Sequence, residues 1–217
     1  MDALIFDFDG VIADSEPAHE KAIGEVAQSS GMTVSHQFYL DHIIGLDDRD
    51  TFRVIAADHK NDIDEQEIDR LCGLKQARFL ELVDEGYAKA FPGSVELIRA
   101  SAKRLPIAVC SGAVRIEIDR VLAEFGIADL FRFVVSADDV ERTKPDPAGY
   151  LLSAKKLGLD PSRCLAIEDT AKGIAAGKAA GLTVVGVCHS LPAELLSEAD
   201  LVVDSIEELN IDRLMEL

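Results

Sequence analysis

Two carboxylates stand two positions apart near the amino terminus, in Asp7-Phe8-Asp9-Gly10-Val11, directly after the apolar run Ala3-Leu4-Ile5-Phe6. Side chains two positions apart leave an extended backbone on the same side. Phe8 then points the other way, and Gly10 lets the chain turn tightly. Two crowded carboxylates repel each other. A cation relieves that repulsion, and so does a raised pKa on one of them. The pair suits metal-assisted chemistry on an anion. Taken alone, it fits a solvated loop as well.

Further polar groups recur after apolar runs. Ser111-Gly112 follows residues 106–110, and Thr143-Lys144-Pro145-Asp146-Pro147 follows residues 132–136. Glu168-Asp169-Thr170 follows residues 163–167, with Gly173 just beyond. Singly, each has an ordinary explanation. Ser111 fits an N-cap for a helix over 114–126. Pro145 and Pro147 fit a stop and a helix start. Lys144 fits a surface lysine, and Glu168-Asp169 fits a solvated helix start favoured by the helix dipole. Their order, each at the carboxyl end of an apolar run, argues for one convergent site.

The elements that must position these groups alternate. Helices are predicted over 93–104, 114–126, 147–158 and 171–180, and strands over 106–110, 132–136, 163–167, 182–188 and 201–203. The strand runs are almost continuously apolar, as in Phe133-Val134-Val135 and Val184-Val185-Gly186-Val187. That pattern predicts an α/β fold, a Rossmann-like parallel sheet with helices on both faces. The carboxyl ends of such strands line one crevice. Segment 17–85 differs, because its apolar residues recur at helical spacing with no strand among them. It reads as a small all-helical insertion. The expected division is a catalytic core of 1–14 and 90–217 and a helical cap of 15–89, with hinges near Asp14–Pro17 and Lys89–Gly93.

The chain has 217 residues, 48% of them hydrophobic, with a formal net charge of −18 and a pI near 4.5. No Lys/Arg cluster is present, which argues against nucleic-acid and anionic-membrane partners. An anionic substrate must be drawn in by local groups, since the overall field opposes it. Cys72, Cys110, Cys164 and Cys188 form no CxxC pair. They point to a reducing compartment. No signal peptide and no apolar run of about 18 residues is recognised, so a cytoplasmic location is expected.

Asp7-Phe8-Asp9-Gly10-Val11, Ser111-Gly112, Lys144-Pro145-Asp146 and Glu168-Asp169 together resemble the four ordered motifs of the haloacid dehalogenase-like superfamily. Asp14-Ser15-Glu16-Pro17 with His19, the helical insertion, and the run from Gly173 to Gly181 are similar to its β-phosphoglucomutase-like phosphatase branch. That resemblance implies phosphoryl transfer through an aspartyl phosphate on Asp7. Asp9 would be general acid, then general base. Unscreened like charges ~4 Å apart cost roughly 4 kcal/mol at an effective dielectric near 20. A Mg²⁺ held by Asp7, the Asp9 backbone carbonyl, Asp169 and Glu168 would remove that obstacle. The all-oxygen donor set argues against zinc. Lys144, Ser111 and the Gly112 N–H would cradle the phosphate.

In the cap, the resemblance points to His19, Lys75 and the loop Gly45-Leu46-Asp47-Asp48-Arg49 as substrate-facing. His19 also fits a helix-surface residue. Lys75 also fits a solvated lysine packed on Phe79. Arg49 matches the branch loop with a one-residue shift. Arg115, a further substrate-binding candidate by the resemblance, stands where mutases carry asparagine, which disfavours a mutase. His36, His42, His59 and His189 are read as outside the chemistry. The expected function is a Mg²⁺-dependent phosphatase of a small phosphorylated metabolite, a sugar phosphate, working as a monomer or weak homodimer. The alternatives are a β-phosphoglucomutase-like phosphomutase and a catalytically silent phospho-ligand-binding module.

Overall fold

The fold was analysed in a computed structural model, which describes residues 1–217. The apolar run after Asp2 forms β1 (Ala3–Phe6), whose four side chains are all fully buried. It is followed by a two-residue strand, β2 (Ala13–Asp14). Four helices come next: α1 (Glu16–Ser29), α2 (His36–His42), α3 (Asp48–Asp58) and α4 (Glu65–Asp84). Then come β3 (Lys89–Ala90), α5 (Ser94–Ala102), β4 (Ile107–Cys110), α6 (Arg115–Glu124) and β5 (Val134–Val135). The remainder is α7 (Ala148–Leu157), β6 (Cys164–Glu168), α8 (Ala171–Ala180), β7 (Thr183–Val187), β8 (Leu201–Val203) and α9 (Ile211–Met215).

Six strands form one parallel sheet in the order β5-β4-β1-β6-β7-β8. The fold is α/β and Rossmann-like. From β1 the chain builds outward through β4 to β5, then returns to the other side of β1 with β6 and continues to β8. The strand order therefore reverses at β1, and a ligand crevice opens at the carboxyl ends beside such a reversal. Residues on one side of the sheet, including Ile5, Ala166 and Val184, pack with Tyr150 and Ala154 of α7 and Ile174 and Ala176 of α8. Gly177 lets α8 lie close to the sheet, since a Cβ there would meet Val184 Cγ2 at 2.8 Å.

The chain divides into two compact units, Met1–Asp14 with Lys89–Leu217, and Ser15–Ala88. The second is purely helical. Its core joins Ile23, Val26 and Ala27 of α1 to Tyr39, Phe52, Ile55 and Leu71. Asp47 and Asp64 start α3 and α4 by accepting the N–H groups of Asp50 and Glu67. One pairing lies outside the alternating pattern of the sequence. Ala13 and Asp14 form an antiparallel ribbon with Ala90 and Lys89. Two-residue strands carry no periodicity, so only the folded chain brings them together.

Candidate active site

The reversal at β1 brings the carboxyl ends of β4, β1 and β6 side by side. Asp7 extends β1, with its N–H donating to the Ile167 carbonyl at 3.0 Å. On β6, the strand itself runs through Glu168, and Asp169 follows. The helix start lies one residue later: Thr170 caps α8 by accepting the Gly173 N–H at 3.1 Å. Glu168 and Asp169 are thus buried at the strand end and are not a solvated helix start. Asp7, Glu168 and Asp169 each offer a carboxylate oxygen within 4.8 Å of the others, and all three are buried.

Lys144 holds this cluster together. Its Nζ lies 2.6 Å from Asp7 Oδ1, 2.6 Å from Glu168 Oε1 and 2.9 Å from the Cys110 carbonyl oxygen, to which it donates. Three acceptors saturate an ammonium group. Lys144 is therefore not a surface lysine. Burial alone would lower its pKa, but Asp7 and Glu168 outweigh burial and raise it. The two carboxylates on β6 and just after it are raised as well, with burial here acting in the same direction as the neighbouring charge. Burial, then the neighbouring Asp7 charge, pushes Glu168 up to about 8 and Asp169 up to about 7. Without a cation, this cluster holds protons that ordinary carboxylates release well below pH 7.

Two buried oxygens of this cluster have no hydrogen-bond partner, Glu168 Oε2 and Asp169 Oδ1. Orphaned buried acceptors are costly unless a ligand satisfies them. An all-oxygen donor set with two unused oxygens fits a hard divalent cation. The backbone is shaped to leave these carboxylates room. A Cβ at Gly173 would meet Glu168 Oε2 at 1.9 Å, and one at Gly10 would meet Asp169 Oδ2 at 1.8 Å. Gly10 also has a φ of 80°, a backbone conformation that favours glycine.

Two polar partners of the cluster were not singled out from the sequence. The buried Tyr150 hydroxyl donates to Glu168 Oε1, and the Ser190 hydroxyl donates to an Asp169 carboxylate oxygen. Tyr150 carried a weak signal, as a residue with a polar tip in the apolar stripe that follows Lys144-Pro145. Ser190 lies in a loop after β7 and carried none.

The other side of the crevice is set by β4. Ser111 does not cap α6, whose N-cap position is Val114. It is buried, its N–H donates to the Val135 carbonyl, and its Oγ accepts the Ala113 N–H at 3.0 Å. Gly112 borders open space, since a Cβ there would meet nothing within 4 Å. The Arg115 side chain is bonded to Asp119 at 2.8 and 2.9 Å, one turn along α6. Asp9 is half-buried in a tight loop and is not one of the three clustered carboxylates.

In the helical unit, His19 stacks on Phe79, with ring centroids 4.2 Å apart. Burial, and then the Lys75 charge, holds its imidazole well below the usual range, so it is neutral at pH 7. Lys75 is not solvated: its side chain is 2% exposed, its Nζ is 2.9 Å from Asp48 Oδ1, and it lies over the Phe79 ring. Arg49 is bonded to Asp69 and Glu65 of α4. Both cations are thus paired inside their own unit.

A family model described as haloacid dehalogenase-like hydrolase matches residues 1–181. The chain belongs to that family. Among curated relatives, it is 30% identical over 206 residues to "Validoxylamine A 7'-phosphate phosphatase" of Streptomyces hygroscopicus subsp. limoneus, covering 94% of each chain. It is 34% identical over 187 residues to "Fructose-1-phosphate phosphatase YqaB" of Escherichia coli, covering 85% of this chain and 95% of that one. A solved β-phosphoglucomutase from Clostridium difficile superposes with a TM-score of 0.83 at 29% identity, covering 100% of this chain and 96% of that one. Within the family, the chain is a phosphoric monoester hydrolase of the phosphatase type. No helix is long and apolar enough to cross a membrane.

Proposed function

We propose that the chain is a Mg²⁺-dependent phosphatase that hydrolyses a small phosphorylated carbohydrate through an aspartyl phosphate on Asp7. The observation that carries this reading is the pair of orphaned oxygens, Glu168 Oε2 and Asp169 Oδ1, beside an Asp7 held by Lys144. Asp7, Glu168 and Asp169, with the Asp9 carbonyl, would hold the cation. When bound, it supplies charge neutralisation between the anionic carboxylate and the anionic phosphate.

The chain's own residues do the rest. Lys144 orients Asp7 for in-line attack and neutralises its charge. A P–O bond forms to the Asp7 carboxylate as the ester P–O bond breaks, and Asp9 gives its proton to the departing alkoxide. Ser111 and the Gly112 N–H donate to phosphate oxygens. Asp9 then takes a proton from water as the water oxygen attacks phosphorus, and Asp7 leaves as a free carboxylate.

In this reading the helical unit is a specificity cap. The name of one relative, a fructose-1-phosphate phosphatase, supports a phosphorylated carbohydrate as substrate. The four free cysteines support a cytoplasmic location.

The test is phosphate release across a panel of sugar monophosphates with Mg²⁺, alongside bisphosphate-dependent isomerisation of the same sugars. Release without isomerisation is expected, and Asp7→Asn should leave it at background, because an amide cannot act as the anionic nucleophile. Isomerisation exceeding release would make the chain a phosphomutase. Residual turnover by purified Asp7→Asn would remove Asp7 from the nucleophile role.

A further inference from the structure

His189 lies just after β7, with no place in the chemistry described so far. Its Nδ1 is 2.7 Å from the Gly10 carbonyl oxygen, and its Nε2 is 3.2 Å from the Ile206 backbone nitrogen. A backbone N–H only donates, so Nε2 is the acceptor. Nδ1 therefore carries the proton and donates it to Gly10. The ring is stacked on Phe91, with centroids 4.2 Å apart and planes 13° apart. All polar capacity of the imidazole is used, and its plane is fixed.

Gly10 is the left-handed corner of the loop that carries Asp9. Inside that loop, the Phe8 carbonyl accepts from the N–H groups of Val11, Ile12 and Ala13, and the Gly10 N–H donates to the Ala13 carbonyl. These bonds hold the peptides on either side of Asp9 to the loop itself. They do not tie the Gly10 carbonyl to the rest of the sheet unit, and His189 does. Glycine has no side chain to resist rotation, so an external hydrogen bond restricts it most.

We propose that His189 is a positioning residue for the acid–base group Asp9, acting through the Gly10 carbonyl. The proposal rests on the acid–base reading of Asp9. Two variants separate its two bonds. His189→Asn places an amide donor where Nδ1 stands and keeps the bond to Gly10. His189→Gln places its amide farther out, keeps an acceptor for the Ile206 N–H and loses the donor to Gly10.

The experiment compares both variants and Asp9→Asn with the wild type in two readouts. One is kcat and KM for a sugar phosphate and for 4-nitrophenyl phosphate, whose leaving group needs little protonation. The other is amide hydrogen exchange of residues 8–13 in the metal-free protein. For His189→Gln, kcat/KM, which reports only the first phosphoryl transfer and not the shared hydrolysis of the aspartyl phosphate, should fall roughly 10- to 100-fold further on the sugar phosphate than on the nitrophenyl ester. Exchange over 8–13 should quicken. His189→Asn should return both readouts close to wild type. Equal effects of the two variants, a worse effect of Asn, or unchanged exchange in Gln would each overturn the proposal. If Asp9→Asn itself shows no leaving-group dependence, the acid–base reading of Asp9 fails; the exchange data then still decide whether His189 holds the turn.

Discussion

The Tyr150 hydroxyl donates to Oε1 of Glu168, while Oε2 of the same carboxylate has no protein partner. With Lys144 on the same Oε1, one edge of the carboxylate is committed to the protein and the other is left for a ligand. Outer partners of this kind orient metal ligands, and their loss costs roughly 10- to 100-fold in metal affinity. Tyr150→Phe keeps the ring in its place in the core. We expect Mg²⁺ affinity, measured by titration calorimetry, to fall about 10-fold. The far-ultraviolet dichroism should not change. Equal Mg²⁺ affinity in the two proteins would make the tyrosine a packing residue only.

The raised carboxylates make metal binding and stability depend on pH with a definite sign. In the unfolded chain, Glu168 and Asp169 lose their protons near pH 4. In the metal-free folded protein, they keep them to about 8 and about 7, because burial and then Asp7 disfavour the charged forms. Across that window the native state binds more protons than the unfolded state, so these groups make stability fall as pH rises. The melting temperature of chelator-treated protein should therefore decline from pH 5 to 8. Mg²⁺ must displace the same protons, so its apparent affinity should rise over pH 6 to 8 by up to about 10-fold per pH unit for each proton. Calorimetry in buffers of different ionisation enthalpy would detect the released protons. A flat affinity profile with no proton release would contradict the raised values.

Gly173 and Gly24 are both helical glycines, and an alanine should act on them oppositely. A Cβ at Gly24 meets nothing within 4 Å. Gly24→Ala should therefore stabilise the protein by about 0.5–1 kcal/mol through helix propensity. At Gly173 the same methyl would overlap Glu168 Oε2 at 1.9 Å and Cδ at 2.1 Å. Glu168 is held by Tyr150 and Lys144 and cannot yield without breaking those bonds. Overpacking costs about 1–3 kcal/mol, more than the propensity gain. Gly173→Ala should lower the melting temperature of the metal-free protein and weaken Mg²⁺ binding. Thermal melts of the two single variants check both directions, and a stabilised Gly173→Ala would show that Glu168 can leave its position freely.

Much of the chain's organisation was legible before folding. Parallel strands buried on both faces must be almost wholly apolar, so β4, β6, β7 and β8 announce themselves as runs of Ile, Val, Leu and Ala. Polar residues that interrupt those runs at their carboxyl ends mark the crevice, which is why Asp7, Ser111, Lys144, Glu168 and Asp169 were all visible. The short β5 was read as five residues and is two, since strand ends depend on which neighbour groups are left to pair with.

What the linear chain determined by itself was therefore the alternation of elements, the helical character of residues 17–85 and the residues at the strand ends. Those follow from local periodicity and from the burial that a parallel sheet imposes. Only the tertiary structure decided the partners. It saturated Lys144 with three acceptors, put Tyr150 and Ser190 behind the carboxylates, closed the Lys75–Asp48 pair and turned His189 onto Gly10. Those contacts join segments 18 to 179 residues apart, with Ser190 and Asp169 at 21. Local sequence carries no signal over such separations, because each hydrogen bond depends on where other strands and loops place its second atom.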